Sequence, residues 1–79
     1  MATAPLCDFS DALACLKQGS AAQRAGWNGK GLWIRLQPVT PLSEMNLPYL
    51  FIEYPDGRRC PWLASQTDLL TEDWVIERK

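Results

Sequence analysis

The chain has 79 residues, of which 47% are hydrophobic and 22% are charged, and its formal net charge is −1. This length and composition predict one small globular domain over residues 1–79 rather than a disordered chain. The balanced charge argues against a long nucleic acid as partner, because binding a polyanion needs a basic surface. The sequence also lacks an apolar run long enough to span a membrane.

Cysteine and histidine content argues against a metal site and against common nucleophilic catalysis. The three cysteines, Cys7, Cys15 and Cys60, form no C-x-x-C pair, and the chain has no histidine. We therefore expect no metal and no cofactor, and we expect the three thiols to be small buried side chains. Without histidine, the pairs that usually activate serine or cysteine nucleophiles cannot form. The composition favours a binding protein over an enzyme.

The segment DFSDALACLKQG predicts the first helix. Its apolar residues recur at the spacing of one helix face; they are Phe9, Ala12, Leu13 and Leu16. Asp8 is the predicted N-cap, and Gly19 is the predicted C-terminal stop.

The segments after this helix follow strand patterns with short connections. In LWIRLQ, apolar and polar residues alternate, so Leu32, Ile34 and Leu36 share one face of a strand. YLFIEY and RRCPW flank the turn PDG, which predicts a hairpin with Gly57 in the left-handed conformation. AAQRAGW and DWVIER supply a short strand and a last strand. We predict an α+β fold with a small antiparallel β-sheet, one main N-terminal helix and a short second helix.

The glycine-rich stretch GWNGKG, residues 26–31, is the first candidate binding segment. Trp27 offers a flat apolar surface, Lys30 offers a cation, and the glycines leave backbone amides accessible. An alternative interpretation is a tight turn whose tryptophan folds back into the core. Both interpretations stand at this stage.

The stretch PWLASQTDLL, residues 61–70, is the second candidate. It predicts the short second helix, with Ser65 as N-cap and Asp68 completing a capping box. Amides at a helix N-terminus suit phosphate or carboxylate, although helix capping alone is the alternative. Because each stretch joins a tryptophan to polar groups, the pair predicts a nucleotide-sized ligand stacked on indole.

These two stretches resemble the Thoeris anti-defense type two family of phage proteins. The resemblance rests on G-W-N-G-K-G followed by P-W-x-x-S-Q-T-D-x-L-x-x-D-W. It implies a sponge that binds cyclic ADP-ribose-type signals of TIR-domain proteins, chiefly a glycocyclic ADP-ribose, without cleaving them. It also implies cyclic dinucleotides as further ligands and a homotetramer, a dimer of dimers, with pockets between protomers. The location implied is the cytoplasm of an infected bacterium, and no signal peptide is visible in the sequence.

The candidate ligand-binding residues lie at the end of the short strand, in the glycine-rich stretch and around the second helix. They are Arg24, Trp27, Asn28, Lys30, Trp62, Ser65, Gln66, Thr67 and Asp68. We expect Asp68 to cap the helix or to bind ribose hydroxyls rather than phosphate. We expect Trp74 in the core and Trp33 at an interface between protomers.

Two other functions remain open from the residues. A small adaptor domain could use exposed tryptophans together with Arg58 and Arg59 as a protein-binding surface. An enzyme acting on ADP-ribose derivatives would have to use Asp68 or Glu72 for proton transfer.

Overall fold

The computed structural model describes residues 7–27 and 31–77. Along these residues, two helices and five strands follow one another. They are α1 (Phe9–Lys17), β1 (Ala22–Arg24), β2 (Trp33–Gln37), β3 (Tyr49–Glu53), β4 (Arg59–Pro61), α2 (Gln66–Leu70) and β5 (Trp74–Ile76). The predicted α+β fold, with one main N-terminal helix and a short second helix, is confirmed.

Helix α1 begins and ends at the predicted residues. The Asp8 carboxylate accepts a hydrogen bond from the Asp11 amide at 2.9 Å, which satisfies one of the unpaired amides of the first turn. After the helix, Gly19 adopts a φ of +98°, a conformation that favours glycine. Ala12 and Leu16 are fully buried, so the predicted apolar face is the one that packs on the sheet.

The sheet has the strand order β4-β3-β2-β1-β5, and every neighbouring pair is antiparallel. The hairpin between β3 and β4 turns at Gly57, whose φ is +90° as predicted. The last strand does not follow its neighbour in sequence. It crosses to the far edge and pairs with β1, where Arg24 lies opposite Trp74.

The strand register divides the sheet into two faces. Ala22, Ile34 and Ile52 lie directly opposite one another on adjacent strands and therefore share a face, which we call the covered face because α1 packs on it. Arg24 and Trp74 belong to the same face. The buried core between α1 and this face consists of Ala12, Leu16, Ala22, Ile34 and Trp74.

The other face, which we call the open face, points away from both described helices. It carries Trp33, Arg35, Tyr49, Phe51 and Val75, as the strand register requires. Trp33 is half-buried and Tyr49 is exposed, so this face presents aromatic surface to its surroundings.

The prediction of three buried thiols is wrong for Cys60. Cys7 and Cys15 are half-buried, but Cys60 is exposed because it lies on β4, the edge strand, whose three residues are all exposed. Its sulfur lies 3.8 Å from the Tyr54 hydroxyl.

Within the described residues, no helix is both long enough and apolar enough to cross a membrane.

Candidate functional site

Four aromatic side chains, Phe9, Trp27, Trp62 and Trp74, meet on the covered face and bring the two candidate segments together. Trp74 is fully buried, which confirms its expected place in the core. The rings of Trp27 and Trp62 stand edge-on to Trp74, with centroids 5.5 and 6.0 Å away. Trp27 and Trp62 are themselves 6.5 Å apart. We call these four residues the aromatic cluster.

The position of Trp27 combines the two interpretations of the glycine-rich stretch. Its side chain packs against the core, as the tight-turn interpretation requires. It is nevertheless only half-buried, so part of the indole stays accessible. Trp62 is in the same situation, with its amide bonded to the Leu50 carbonyl at 3.0 Å. A ligand-binding role for either residue stays a prediction.

Helix α2 is held by the predicted capping box. The Ser65 hydroxyl accepts from the Asp68 amide at 3.1 Å, and the Asp68 carboxylate accepts from the Ser65 amide at 2.9 Å. The indole N–H of Trp74 donates to the Asp68 carbonyl at 2.9 Å and ties the helix to the core. Ser65, Gln66 and Thr67 are exposed at the start of this helix, which the Trp74 indole links to the aromatic cluster.

Arg24, the last residue of β1, forms ion pairs with two carboxylates. Its Nη1 is 2.8 Å from Asp68 Oδ1, and its Nε is 3.0 Å from Asp73 Oδ1. Only 16% of the Arg24 side chain is exposed, so water screens these contacts weakly. The structure thus places two predicted site residues, Arg24 and Asp68, in direct contact with each other. A role of either residue in ligand binding stays a prediction.

Asp73 connects this ion pair to the glycine-rich stretch. Its Oδ1 accepts from Arg24 and also from the Thr71 hydroxyl at 2.8 Å. Its Oδ2 accepts from the backbone amide of Gly26 at 3.0 Å. The Asp73 carboxylate therefore links β1, the segment that follows α2 and the first residue of the glycine-rich stretch.

The environment keeps both carboxylates ionised and the guanidinium protonated. Burial raises the pKa of Asp68, but bonds from Ser65 and Arg24 outweigh it, and the net pKa lies below the ordinary value. Burial likewise raises the pKa of Asp73, while bonds from Arg24, Thr71 and Gly26 bring it below the ordinary value. Bonds to Asp73 and Asp68 raise the pKa of Arg24.

The glycine-rich stretch is described only at its two ends. Gly31 has a φ of +79°, and a Cβ there would lie 3.0 Å from Cγ of Pro55, so this end of the stretch requires glycine. The predicted site residues Asn28 and Lys30 lie outside the described residues. Within residues 7–27 and 31–77, no group of three Cys, Asp or Glu side chains could hold a metal ion.

A groove opens beside the aromatic cluster. It has a volume of about 490 Å³ and is lined by residues 45–50 together with Pro61 and Trp62. Leu47 is 76% exposed at its rim, and Leu63 beyond Trp62 is 92% exposed. No motif in the sequence predicts this groove.

Asp73 is the residue that sequence reasoning missed. It stands in the motif as the aspartate before Trp74, yet it had no predicted role. The sequence did carry a signal. The motif contains Asp68 and Asp73 but no basic residue, so these carboxylates need a cation from another part of the chain. Arg24 is that cation, but only the pairing of β5 with β1 brings it within reach.

The fold and the site define a small α+β protein whose covered sheet face carries an aromatic cluster bordered by an arginine–carboxylate network. Residues 7–77 match the family model of the Thoeris anti-defense 2-like domain. The chain is 37% identical over 81 residues to the Thoeris anti-defense 2 protein of Bacillus phage SP01, and the match covers 86% of this chain and 91% of that protein. The chain therefore belongs to the Thoeris anti-defense 2-like family, as the motifs predicted. This membership supports an anti-Thoeris function in a phage.

Proposed function

We propose that this protein is an anti-Thoeris sponge, which binds a cyclic ADP-ribose-type nucleotide, chiefly glycocyclic ADP-ribose, and withholds it without cleavage. The observation that carries the proposal is the meeting of Trp27 and Trp62 at 6.5 Å beside the glycine-rich stretch. Membership of the Thoeris anti-defense 2-like family supports the class of signal. In this proposal, the accessible parts of the two half-buried indoles hold the base or a ribose by stacking.

The phosphates fall to the glycine-rich stretch rather than to Arg24. Arg24 is already paired with Asp68 and Asp73, so the negative charge of this group exceeds its positive charge and does not attract an anion. We therefore assign the pyrophosphate to Lys30 and to the backbone amides around it, which can donate hydrogen bonds to an anion. In this proposal, Arg24 and Asp68 hold the binding segments in position and do not contact the phosphates.

The exposed polar side chains beside the aromatic cluster complete the proposed site. The capping box already uses the amides of Ser65 and Asp68. The side chains of Gln66 and Thr67 are exposed on the first turn of α2. We assign them, together with Asn28, to the ribose hydroxyls, for which neutral donors and acceptors suffice.

The chemistry of the described site favours binding without turnover. A general acid or base works best with a pKa near the operating pH. The pKa values of Asp68 and Asp73 lie below the ordinary carboxylate value, and Arg24 holds both groups in their ionised form. The chain has no histidine to take over proton transfer. We therefore propose sequestration rather than an ADP-ribose hydrolase that uses Asp68 or Glu72.

The open face supports a proposal about assembly. Its half-buried Trp33 and exposed Tyr49 lie on the adjacent strands β2 and β3, away from both described helices. We propose that copies of the chain meet on this face as part of a homotetramer, a dimer of dimers, in the cytoplasm of an infected bacterium. Closed, symmetric assemblies of this kind let one small surface serve several protomers.

The direct test is a calorimetric titration of the full chain against cyclic ADP-ribose isomers, glycocyclic ADP-ribose and cyclic dinucleotides. The proposal expects saturable heat with at least one cyclic ADP-ribose-type nucleotide and expects linear ADP-ribose to bind more weakly. Cyclic dinucleotides that bind without displacing the first nucleotide would occupy a separate pocket. An absence of binding across the panel would overturn the proposal.

The groove beside Trp62 favours a second candidate, a protein-interaction adaptor. Its lining joins the exposed Leu47 and two prolines to Tyr49 and Trp62, and Leu63, the residue after Trp62, is exposed as well. Such surfaces suit a peptide of a partner protein. Native mass spectrometry of the protein after expression beside an active TIR-domain enzyme separates the two candidates. A sponge carries nucleotide mass, whereas an adaptor retains only its own.

A further inference from the structure

A single carboxylate holds the first residue of the glycine-rich stretch. Asp73 Oδ2 accepts from the Gly26 amide at 3.0 Å, although 47 positions separate the two residues in the chain. The backbone beside them is joined as well, because the Ala25 amide donates to the Asp73 carbonyl at 2.9 Å. Two hydrogen bonds to Asp73 therefore hold the backbone at the place where the glycine-rich stretch follows β1.

The glycine at this point serves the contact with Asp73. Gly26 does not have a positive φ, so its backbone could accommodate other residues. A Cβ at this position would instead lie 2.9 Å from Asp73 Oδ2, closer than real Cβ atoms approach such a neighbour. Glycine is thus needed for the close approach of the carboxylate, not for the turn.

The contact extends to Trp27 through Arg24. The Trp27 amide donates to the Arg24 carbonyl at 3.2 Å, and the guanidinium of Arg24 is bound to Asp73 at 3.0 Å. The Thr71 hydroxyl donates a hydrogen bond to the same carboxylate oxygen, Asp73 Oδ1, at 2.8 Å. Asp73 thus has bonds to the residues before and after Ala25 and orients the turn that delivers the indole to the aromatic cluster.

We propose that Asp73 is a positioning residue, which fixes the start of the glycine-rich stretch and thereby pre-orients Trp27. Its consequence for nucleotide binding rests on the proposed function. Pre-orientation lowers the ordering cost that a ligand would otherwise meet when it binds. Without Asp73, Gly26 and Trp27 sample more conformations before binding, and the affinity falls although no ligand contact is removed.

The positioning role is tested without ligand by amide hydrogen exchange, followed by NMR on the full chain. The variants are Asp73→Ala and Gly26→Ala, which break the same contact from opposite sides. The control is Ile34→Val, a core substitution on the covered face that destabilises the fold without touching the contact. Sheet amides of β2 and β3 report global unfolding in every variant.

In both loop variants, exchange at positions 26 and 27 should accelerate about tenfold more than exchange in the sheet, because a local opening is then added to the global one. In Ile34→Val, all these amides should accelerate by a common factor. The double variant Gly26→Ala/Asp73→Ala should open no more than Asp73→Ala alone, since Gly26→Ala breaks only a contact that Asp73→Ala has already removed. A common factor for loop and sheet amides in Asp73→Ala would overturn the proposal.

A second arm uses cyclic ADP-ribose as the probe in a calorimetric titration. Asp73→Ala should weaken its binding about tenfold, whereas Ile34→Val should leave the affinity within about threefold. If the unsubstituted chain binds no cyclic nucleotide, the proposed function fails, and the exchange experiment still decides the positioning role. Unchanged affinity in a loop variant that exchanges faster would refute the link to binding.

Discussion

The two faces of the sheet carry similar residues in different surroundings. Each face presents a tryptophan and an arginine held between two carboxylates. On the covered face, these are Trp74 and Arg24, of which the first is fully buried and the second 16% exposed. On the open face, they are Trp33 and Arg35, and 31% of the Arg35 side chain is exposed beside Glu53 and Glu77.

The comparison shows that the same residue types have different roles, depending on how deeply they are buried. On the covered face, the tryptophan anchors the core and the arginine network holds the candidate binding segments in place. On the open face, a pair of similar composition is accessible to water or to another copy of the chain. Substitutions matched across the two faces therefore separate folding, assembly and binding.

The largest expected effect follows from truncating the buried tryptophan. Trp74→Ala should cost about 3–5 kcal/mol of unfolding free energy, because it leaves a cavity and removes the anchor of α2. That loss is a large part of the total stability expected for a small chain. The matched variant Trp33→Ala should cost about 1–2 kcal/mol, because Trp33 is half-buried.

Urea denaturation followed by circular dichroism measures both losses, and light scattering on Trp33→Ala measures assembly. We expect Trp33→Ala to remain folded and to dissociate into smaller species. Equal destabilisation by the two substitutions would contradict the distinction between the faces.

The two arginines should differ in the same direction. Arg24→Ala leaves Asp68 and Asp73 facing each other and should cost about 2–4 kcal/mol, somewhat less than a fully buried pair. Arg35→Ala on the open face should cost under about 1 kcal/mol, as more exposed ion pairs do. Thermal unfolding of the two variants checks this order, which salt should alter more for Arg35→Ala.

Removing the half-buried indole of Trp27 should weaken ligand binding. Trp27→Ala should weaken nucleotide affinity by about 1–3 kcal/mol, roughly 5- to 150-fold, because stacking is lost. The variant should also lose some stability, since Trp27 packs on Trp74 at 5.5 Å between centroids. Calorimetry well below the unfolding temperature isolates the binding effect, with the core variant Ile34→Val as control. Undiminished affinity would assign Trp27 to the core alone.

Acid should weaken the fold through the arginine network, and this is the smallest effect expected. The pKa values of Asp68 and Asp73 are lowered in the folded protein, so the stabilisation they provide is complete above their unfolded-state value of about 3.9. It is lost as pH falls from there through the folded-state values. Asp73→Asn should flatten this loss in urea titrations between neutral and strongly acidic pH, and an unchanged slope would argue against the network.

Local chemistry made most of the fold predictable. Asp8 and Gly19 mark the ends of α1 because capping depends on neighbours a few residues away. The turn at Gly57 and the capping box of Ser65 with Asp68 were predictable for the same reason. Alternation in LWIRLQ correctly indicated that Ile34 faces the core.

The features that depend on distant pairing were not predictable in this way. The placement of β5 beside β1 joins segments about fifty residues apart, and no local pattern encodes it. The role of Asp73 follows from that pairing and was missed with it. Cys60 was predicted to be buried because its type usually is, whereas its exposure follows from the edge position of β4.

The most direct test of the central claim is recovery of the bound nucleotide. The full chain is mixed with glycocyclic ADP-ribose, separated from free nucleotide by gel filtration and heat-denatured, and the released material is identified by mass spectrometry. A sponge releases the nucleotide at its original mass after any length of incubation. Co-elution of no nucleotide, or release of a hydrolysed product in its place, would contradict the proposal.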